Sequence, residues 1–160
     1  MFFRPPSLLQ LSVPFVQQRK PGECLVACAA MLCAYWGVNI SYDRLMSDLR
    51  IRPDAGGLLE NVRNLTRHRF SVYHLRRASL NDLYQMLENG WPPIVSVQAG
   101  EFPYWTEPPT QHAVVIVGMT AGDIWVNDPA ARSAPFAVPY GDFDLAWLEM
   151  DEAFAVLTLR

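Results

Sequence analysis

The chain has 160 residues, of which 51% are apolar and 18% are charged, and its formal net charge is −3. This length and apolar content predict one core-rich domain over residues 1–160 and exclude a disordered chain. The slightly acidic balance argues against a nucleic-acid binder, which carries a basic face. Three cysteines are an odd number, which excludes a disulfide framework closed within the chain.

The beginning of the chain does not resemble a signal peptide, because Pro5, Pro6 and Pro14 interrupt its apolar segment. No stretch approaches the ~18 apolar residues that a bilayer-spanning helix needs. We therefore expect no membrane segment in this chain. Free thiols favour the cytoplasm, but the sequence leaves the compartment and the oligomeric state open.

Helical patterns dominate residues 22–90. The run CLVACAAMLCAYW is rich in Ala, Leu and Met, which favours a buried helix. Serine caps, glycine stops and apolar residues at helical spacing mark the others. In chain order we predict a helix from Cys24 ending at Gly37, a second from Ser41 to Arg50, a third with Leu58, Val62 and Leu65 on one face, a strand over 70–75, and a fourth helix from a Ser79–Asp82 capping box to Asn89-Gly90.

Strand patterns dominate residues 91–160. In chain order we predict strands over 93–99, 112–119 and 123–128, with the turn TAGD at 120–123, then a strand over 134–138, a helix from Tyr140 to Leu148 and a strand over 153–159. Runs of helices followed by runs of strands predict the α+β class. We expect an N-terminal helical half packed on a C-terminal antiparallel β-sheet.

Cys24 is the candidate nucleophile. It stands at a predicted helix start, where free backbone N–H groups and the helix dipole favour the thiolate. Cys28 and Cys33 lie inside the apolar helix and are interpreted as small buried side chains. The two-residue ligand gap of zinc sites is absent from these cysteines, so we expect neither a metal site nor a cofactor.

His112 is the candidate base. It follows a Pro-rich loop and begins the apolar strand AVVIVGM, which places it at a sheet rim, where clefts form. His68 lies in the basic run TRHR and is interpreted as a solvated helix end. His74 lies within a strand, next to two arginines, and is interpreted as structural.

A Cys–His pair also needs a group that orients the histidine ring. Asp128 ends the strand IWVND and falls toward the same end of the sheet as His112. A two-residue turn at Ala121-Gly122 would pair position 115 with Asp128, so contact with His112 requires a bulge or a shifted register. Asn127 is the other candidate, but its side chain is expected on the opposite sheet face.

The whole pattern resembles a known family. The run QRKPGECLVACAAMLCAYWG resembles the nucleophile segment of the bacteriocin-processing cysteine peptidases, family 39-like, which cleave double-glycine leader peptides. HAVVIVGM is similar to their His strand, VNDPA to their Asp-Pro segment, and SLNDLYQMLENGWPPIVSV to their helix and core strand. The resemblance covers roughly residues 13–148 and implies a papain-like cysteine peptidase fold.

The resemblance implies a role for each candidate. Cys24 would be the nucleophile, His112 the general base and acid, and Asp128 the orienting group. Gln18, six positions before Cys24, would be the side-chain donor of the oxyanion hole, with Gln17 as the runner-up. The backbone N–H of the nucleophile would be the second donor.

Two positions depart from the family pattern. Glu23 stands where members more often have Asp, and Leu25 stands where the bacteriocin processors usually have Gly. A larger residue beside the nucleophile changes how closely a substrate can approach. We therefore expect a family-like domain rather than a leader processor.

These features predict a cysteine peptidase that acts on a peptide or protein substrate. Residues 100–111 precede the candidate base and supply Glu101, Tyr104 and Trp105 as candidate substrate-binding residues, unless the loop only packs its aromatics on the sheet. Glu101 and Glu107 would favour a basic or polar substrate. Two alternatives stay open: a papain-like deamidase or transglutaminase acting on protein glutamine, and a non-catalytic peptide-binding module of the same fold.

Overall fold

The computed structural model describes residues 3–160. Its strands are β1 (Leu9–Gln10), β2 (Phe70–Leu75), β3 (Ile94–Gln98), β4 (Gln111–Met119), β5 (Asp123–Asn127), β6 (Phe136–Pro139) and β7 (Phe154–Leu159). Its α-helices are α1 (Cys24–Trp36), α2 (Tyr42–Asp48), α3 (Leu80–Glu88) and α4 (Tyr140–Leu148), and 3-10 segments span Leu59–Arg67 and Ala99–Glu101. Strand β1 was not predicted, because two residues are too few to carry a period.

The strands form one antiparallel sheet in the order β2-β7-β3-β4-β5-β6, and β1 pairs with the end of β4. Along β4, Ala113 and Val115 belong to the apolar core on one face, and Val114 and Ile116 belong to the core on the other. Helices cover both faces, which explains why β4 is apolar almost throughout. The predicted α+β class with an antiparallel sheet is confirmed.

Helix α1 lies on the sheet face that carries Ala113 and Val115, together with α2 and the longer 3-10 segment. It is apolar on nearly every side, so it can be buried between the sheet and its neighbours. It ends at Gly37 with φ 71°, a left-handed conformation that costs glycine little. The N–H groups of Gly37 and Val38 then bond the last helical carbonyls.

Helices α3 and α4 lie on the opposite face, where Leu83, Leu87 and Trp147 are buried. The predicted capping box of α3 is confirmed. The Asp82 N–H donates to the Ser79 hydroxyl at 3.1 Å, and the Ser79 N–H donates to the Asp82 carboxylate at 2.8 Å. These two bonds satisfy donors that the first turn of the helix leaves free.

The third predicted helix is a 3-10 helix, and its buried face differs from the prediction. Leu59, Val62 and Leu65 are buried, whereas Leu58 is 64% exposed. A 3-10 helix has three residues per turn, so a spacing of three aligns the apolar side chains on one side. The expectation for Leu58 is therefore wrong, because it assumed the spacing of an α-helix.

The interpretation of His68 as a solvated helix end is also wrong. Its Nε2 lies 2.7 Å from the Oδ2 atom of Asp48, a buried carboxylate at the end of α2. Arg44 donates to the same oxygen at 3.2 Å, and Arg67 lies 3.8 Å from Oδ1. The basic run TRHR neutralises an acid from another helix, a partner that no local pattern indicates.

The hairpin of β4 and β5 contains a bulge. Near the turn, Gly118 pairs with Trp125, but the next pair is Ile116 with Val126. Val117 is therefore an extra residue in β4, and every later pair is shifted by one position. The register that a simple two-residue turn would give is interrupted here, as the contact between His112 and Asp128 required.

Within residues 3–160, no helix combines the length and the apolar character that a bilayer crossing requires.

Candidate active site

Cys24 is the first residue of α1 and is partly exposed. The preceding residue, Glu23, makes no side-chain cap, because its carboxylate accepts a hydrogen bond from the Tyr42 hydroxyl at 2.9 Å. The first backbone N–H groups of the helix are therefore free of a capping side chain. The thiol stands where these groups and the helix dipole favour a negative charge.

The surroundings of Cys24 favour its thiolate. Burial by itself would raise the pKa of the thiol, but other contributions outweigh it and leave that pKa below its ordinary value. They are the hydrogen bond and charge of His112 and the backbone N–H groups of Ala113 and Leu25. A thiol with these neighbours is deprotonated more readily than an ordinary cysteine thiol, which is the property that nucleophilic cysteines require.

His112, the second residue of β4, lies between Cys24 and Asp128. Its Nε2 is 2.6 Å from the Oδ1 atom of Asp128, which leaves Nδ1 as the ring nitrogen for the thiol. Burial by itself would lower the pKa of His112, but the hydrogen bonds and charges of Asp128 and Cys24 raise it to about 9. The pair therefore favours an imidazolium beside a thiolate.

Asp128 follows β5 directly and is fully buried. Burial by itself would raise the pKa of its carboxyl, but hydrogen bonds from His112, Tyr104 and the Ala130 N–H leave it lowered. The bulge in β4 turns Asp128 to the sheet face of His112, because a shift of one residue exchanges the two faces of a strand. Asn127 faces the other side and donates to the Val13 carbonyl at 3.2 Å.

Gln18 and Cys24 line the same cleft. The Gln18 backbone N–H donates to the Pro129 carbonyl at 2.9 Å, which ties this segment to the residue after Asp128. Its side-chain Oε1 is buried and has no hydrogen-bond partner among the described residues. Gln17, the runner-up in the sequence, is exposed. Gln18, and not Gln17, therefore lines the cleft together with the candidate nucleophile.

The cleft has a volume of about 540 Å³ and opens over the thiol and the imidazole. Its walls come from segments far apart in the chain. They include Gln18, Gly22, Cys24, Asp54, Gly56, Leu58, Trp105, Glu107, Thr110, His112, Ala130 and Met150. The Trp105 ring lies 5.1 Å from the His112 ring, so it covers the imidazole on one side.

Of the three predicted substrate-binding residues, the structure brings only Trp105 to the cleft. Glu101 ends the short 3-10 segment and does not line the cleft. Tyr104 turns inward, and its hydroxyl donates to the Oδ2 atom of Asp128 at 2.7 Å. The sequence signalled an aromatic loop before His112, but nothing local distinguished a residue facing a substrate from one facing the carboxylate.

The other cysteines do not enter the cleft. Cys28 and Cys33 are buried in the core on the α1 side of the sheet. Burial raises the pKa of Cys28 well above its ordinary value and that of Cys33 to about 11. Within residues 3–160, no three His, Cys, Asp or Glu side chains are grouped closely enough to hold a metal ion.

Comparisons with known proteins identify a family from a family model and a fold from solved structures. A family model described as the Peptidase_C39 like family matches residues 10–153. A C39-like peptidase from Bacillus anthracis is 18% identical, with a TM-score of 0.77, over 96% of this chain and 98% of its own. A double glycine motif protease from an AMS/PCAT transporter, in complex with the leader peptide, is 18% identical, with a TM-score of 0.73. The match covers 99% of this chain and 100% of that protease chain.

A third similar structure is the peptidase domain of Streptococcus ComA, a bifunctional ABC transporter of a quorum-sensing pathway. It is 17% identical, with a TM-score of 0.73, over 93% of this chain and 100% of its own. At such low identity these structures establish the fold alone. No curated protein matches the chain significantly.

Proposed function

The chain belongs to the Peptidase_C39-like family, and from that membership we propose that it is a cysteine peptidase acting through Cys24, His112 and Asp128. The observation that carries this proposal is the contact sequence from thiol to imidazole to buried carboxylate, open to a cleft. Asp128 favours the protonated imidazole of His112, and His112 favours the thiolate of Cys24. The lowered pKa of the thiol and the raised pKa of the imidazole both support it.

In the proposed reaction, the Cys24 thiolate attacks the carbonyl carbon of a peptide bond, and a C–S bond forms. The backbone N–H of Cys24 and the side-chain amide of Gln18 would hold the oxyanion. The His112 imidazolium then gives its proton to the leaving amine as the C–N bond breaks. Water, deprotonated by His112, attacks the thioester, and the carboxylate product leaves as the thiolate re-forms.

The walls of the cleft suggest the substrate class. One similar structure is in complex with a leader peptide, which supports a peptide as the substrate here. Besides His112, the charged side chains that line the cleft are Asp54 and Glu107, and neither Lys nor Arg lines it in the described part of the chain. Peptides with a basic residue near the scissile bond are therefore the preferred substrates in this proposal.

The test compares Cys24→Ala with Cys33→Ala on a peptide library and with iodoacetamide. We expect Cys24→Ala to lose both hydrolysis and rapid labelling near pH 7, because its thiolate is the nucleophile. Cys33→Ala is the matched control, since Cys33 is buried with a raised pKa, and we expect both activities to remain. Hydrolysis that survives in Cys24→Ala would overturn the proposal.

Three further assays distinguish the alternatives: ammonia release, peptide binding and titration of the Cys24 thiol. Ammonia released from a glutamine-containing protein, without chain cleavage, would indicate a deamidase. Peptide binding without turnover, together with a Cys24 thiol that titrates at its ordinary value, would indicate a non-catalytic module.

A further inference from the structure

Tyr104 does not line the cleft, and its hydroxyl contacts the carboxylate oxygen of Asp128 that His112 does not contact. We propose that Tyr104 is a positioning residue: its hydroxyl holds the Asp128 carboxylate in the orientation that serves His112. Through the same contact, Tyr104 fastens the loop that carries Trp105 over the cleft. This inference rests on the proposed function and adds a residue to its site.

The hydrogen bonds of Asp128 show why a third donor is needed. The Oδ1 atom accepts hydrogen bonds from His112 Nε2 at 2.6 Å and from the Ala130 N–H at 2.9 Å. Oδ2 receives the Tyr104 hydroxyl at 2.7 Å. Without that hydroxyl, a carboxylate oxygen would be buried with no donor among the described residues, which is costly. Both remaining donors would act on Oδ1, so the carboxylate plane would be free to tilt.

The position of the hydroxyl is set by packing. The Tyr104 ring stacks on Phe136 of β6 with centroids 4.6 Å apart, and it lies 5.6 Å from the ring of Phe102. Phe102 is itself buried in the core under α4. A donor held by rings on two sides is preorganised, so it spends little conformational entropy when it binds the carboxylate.

The next residue connects this contact to the cleft. Trp105 lies against the His112 ring and lines the cleft wall. Its backbone N–H donates to the Phe102 carbonyl at 3.0 Å, and its Nε1–H donates to the Pro108 carbonyl at 3.2 Å. Two neighbouring residues of one loop therefore contact the candidate site, Tyr104 at the Asp128 carboxylate and Trp105 at the His112 ring.

The titratable groups around Asp128 define the expected pH effect. They are His112 from β4, Tyr104 from the loop, and Cys24 and Cys28 from α1. Burial raises the pKa of Tyr104, so its hydroxyl stays a donor. Its hydrogen bond contributes to the lowered pKa of Asp128. Removing the hydroxyl therefore raises the pKa of Asp128. On acidification, the variant protonates Asp128 at a higher pH than the wild type does. His112 then loses its charged partner at that higher pH.

The experiment is Tyr104→Phe, which removes one oxygen and keeps the ring. We measure the rate of Cys24 alkylation by iodoacetamide against pH, and kcat and KM for a peptide cleaved by the wild type. We expect the acid limb of both profiles to move to higher pH. We expect kcat to fall roughly tenfold, the effect of one hydrogen bond to a charged group, while KM stays nearly unchanged.

Tyr140→Phe is the matched control. The Tyr140 hydroxyl donates to the Thr120 carbonyl at 2.6 Å and does not contact Asp128. This variant loses a similar hydrogen bond but should keep the wild-type pH profile. If Tyr104→Phe and Tyr140→Phe have the same profile, Tyr104 is only a packing residue and the inference is wrong.

Two further measurements keep the inference testable. In an Asp128→Asn background, Tyr104→Phe should add no further shift, and a shift as large as in the wild type would contradict the role. Incorporation of 3-fluorotyrosine at position 104 keeps the packing and strengthens the donor, so the acid limb should move to lower pH; an unchanged limb counts against the proposal. Alkylation needs no peptide, so a chain without peptidase activity would still report on Tyr104.

Discussion

Two aspartates lie inside the core, and each is bound by a histidine. His112 lies 2.6 Å from Asp128, and His68 lies 2.7 Å from Asp48. The difference is the third group. Beside His112 stands a thiol in a cleft, whereas Asp48 also binds the exposed guanidinium groups of Arg44 and Arg67. The first arrangement is the one to which the proposed function assigns proton transfer, and the second joins α2 to the 3-10 segment.

Asp48→Asn tests the stabilising role of the second arrangement. Burial by itself would raise the pKa of Asp48, but hydrogen bonds and charges from His68 and Arg44 leave it below its ordinary 3.8. Because its pKa is lower in the folded state, the ionised Asp48 stabilises the fold at pH values above the ordinary pKa of the unfolded chain. This stabilisation is lost as the pH falls through the folded-state pKa. We expect Asp48→Asn to lower the free energy of unfolding at pH 7 by about 1.5–3 kcal/mol.

Urea unfolding between pH 2 and pH 7 measures the effect. The wild type should lose more stability on acidification below about pH 4 than Asp48→Asn does, because the variant has already lost this carboxylate. Asp43→Asn is the control, since the Asp43 side chain is 93% exposed and its ion pair with Arg19 is 3.7 Å long. Equal acid sensitivity in wild type and Asp48→Asn would contradict the assignment.

At the scale of elements, the bulge in β4 decides what the sheet presents to the cleft. It places the residue after β5 on the same face as the second residue of β4. The bulge lies beside Gly118, where β1 pairs with β4 and the two backbones approach closely. The Leu11 N–H donates to the Val117 carbonyl at 2.7 Å, so the extra residue is held by the segment after β1.

Gly118→Ala tests this close approach. A Cβ at this position would lie 2.8 Å from the Leu9 carbonyl oxygen, a backbone atom that cannot turn away. We expect a loss of about 1–3 kcal/mol in the free energy of unfolding, measured by urea denaturation, because the strands must separate. Gly122→Ala, in the turn between β4 and β5, is the control because nothing lies within 4 Å of its Cβ. Similar losses in both variants would show that the β1 contact is unimportant.

At the scale of the whole molecule, the cleft is a product of the fold. The start of α1, the loop around Gly56, the loop around Trp105 and the end of α4 meet there. Helices α1 and α4, which lie on opposite faces of the sheet, thus both have an end at the cleft. The acidic side chains in the walls come from two of these segments, Asp54 from one and Glu107 from the other.

Glu107→Gln tests whether wall charge selects the substrate. We expect KM to rise up to about fivefold for peptides with Lys or Arg near the scissile bond, with kcat unchanged, because the ion pair is exposed and worth at most about 1 kcal/mol. Glu88→Gln is the control, since Glu88 is exposed at the end of α3 and does not line the cleft. An equal rise for peptides without basic residues would rule out charge selection.

Local patterns predicted most of the elements, because caps, stops and periods act within one turn or one strand pair. Helix α4 spans the predicted Tyr140–Leu148, and the Ser79–Asp82 box starts α3 as expected. The errors occurred where tertiary contacts decide. Leu58 is exposed, contrary to the prediction, because the segment is a 3-10 helix that buries Leu59 instead, and the partner of His68 lies twenty residues away.

By itself, the sequence singled out Cys24, His112 and Asp128, because a thiol at a helix start, an imidazole at a strand rim and an aspartate at a strand end are local features. Gln18 was added only by the resemblance to a known family. Only the tertiary structure decided that they meet. The bulge at Val117 determines which sheet face Asp128 occupies. The packing of Tyr104 against Phe102 and Phe136 directs its hydroxyl to the carboxylate instead of to the cleft. Register and ring packing depend on contacts between distant segments, and no periodicity in the chain encodes them.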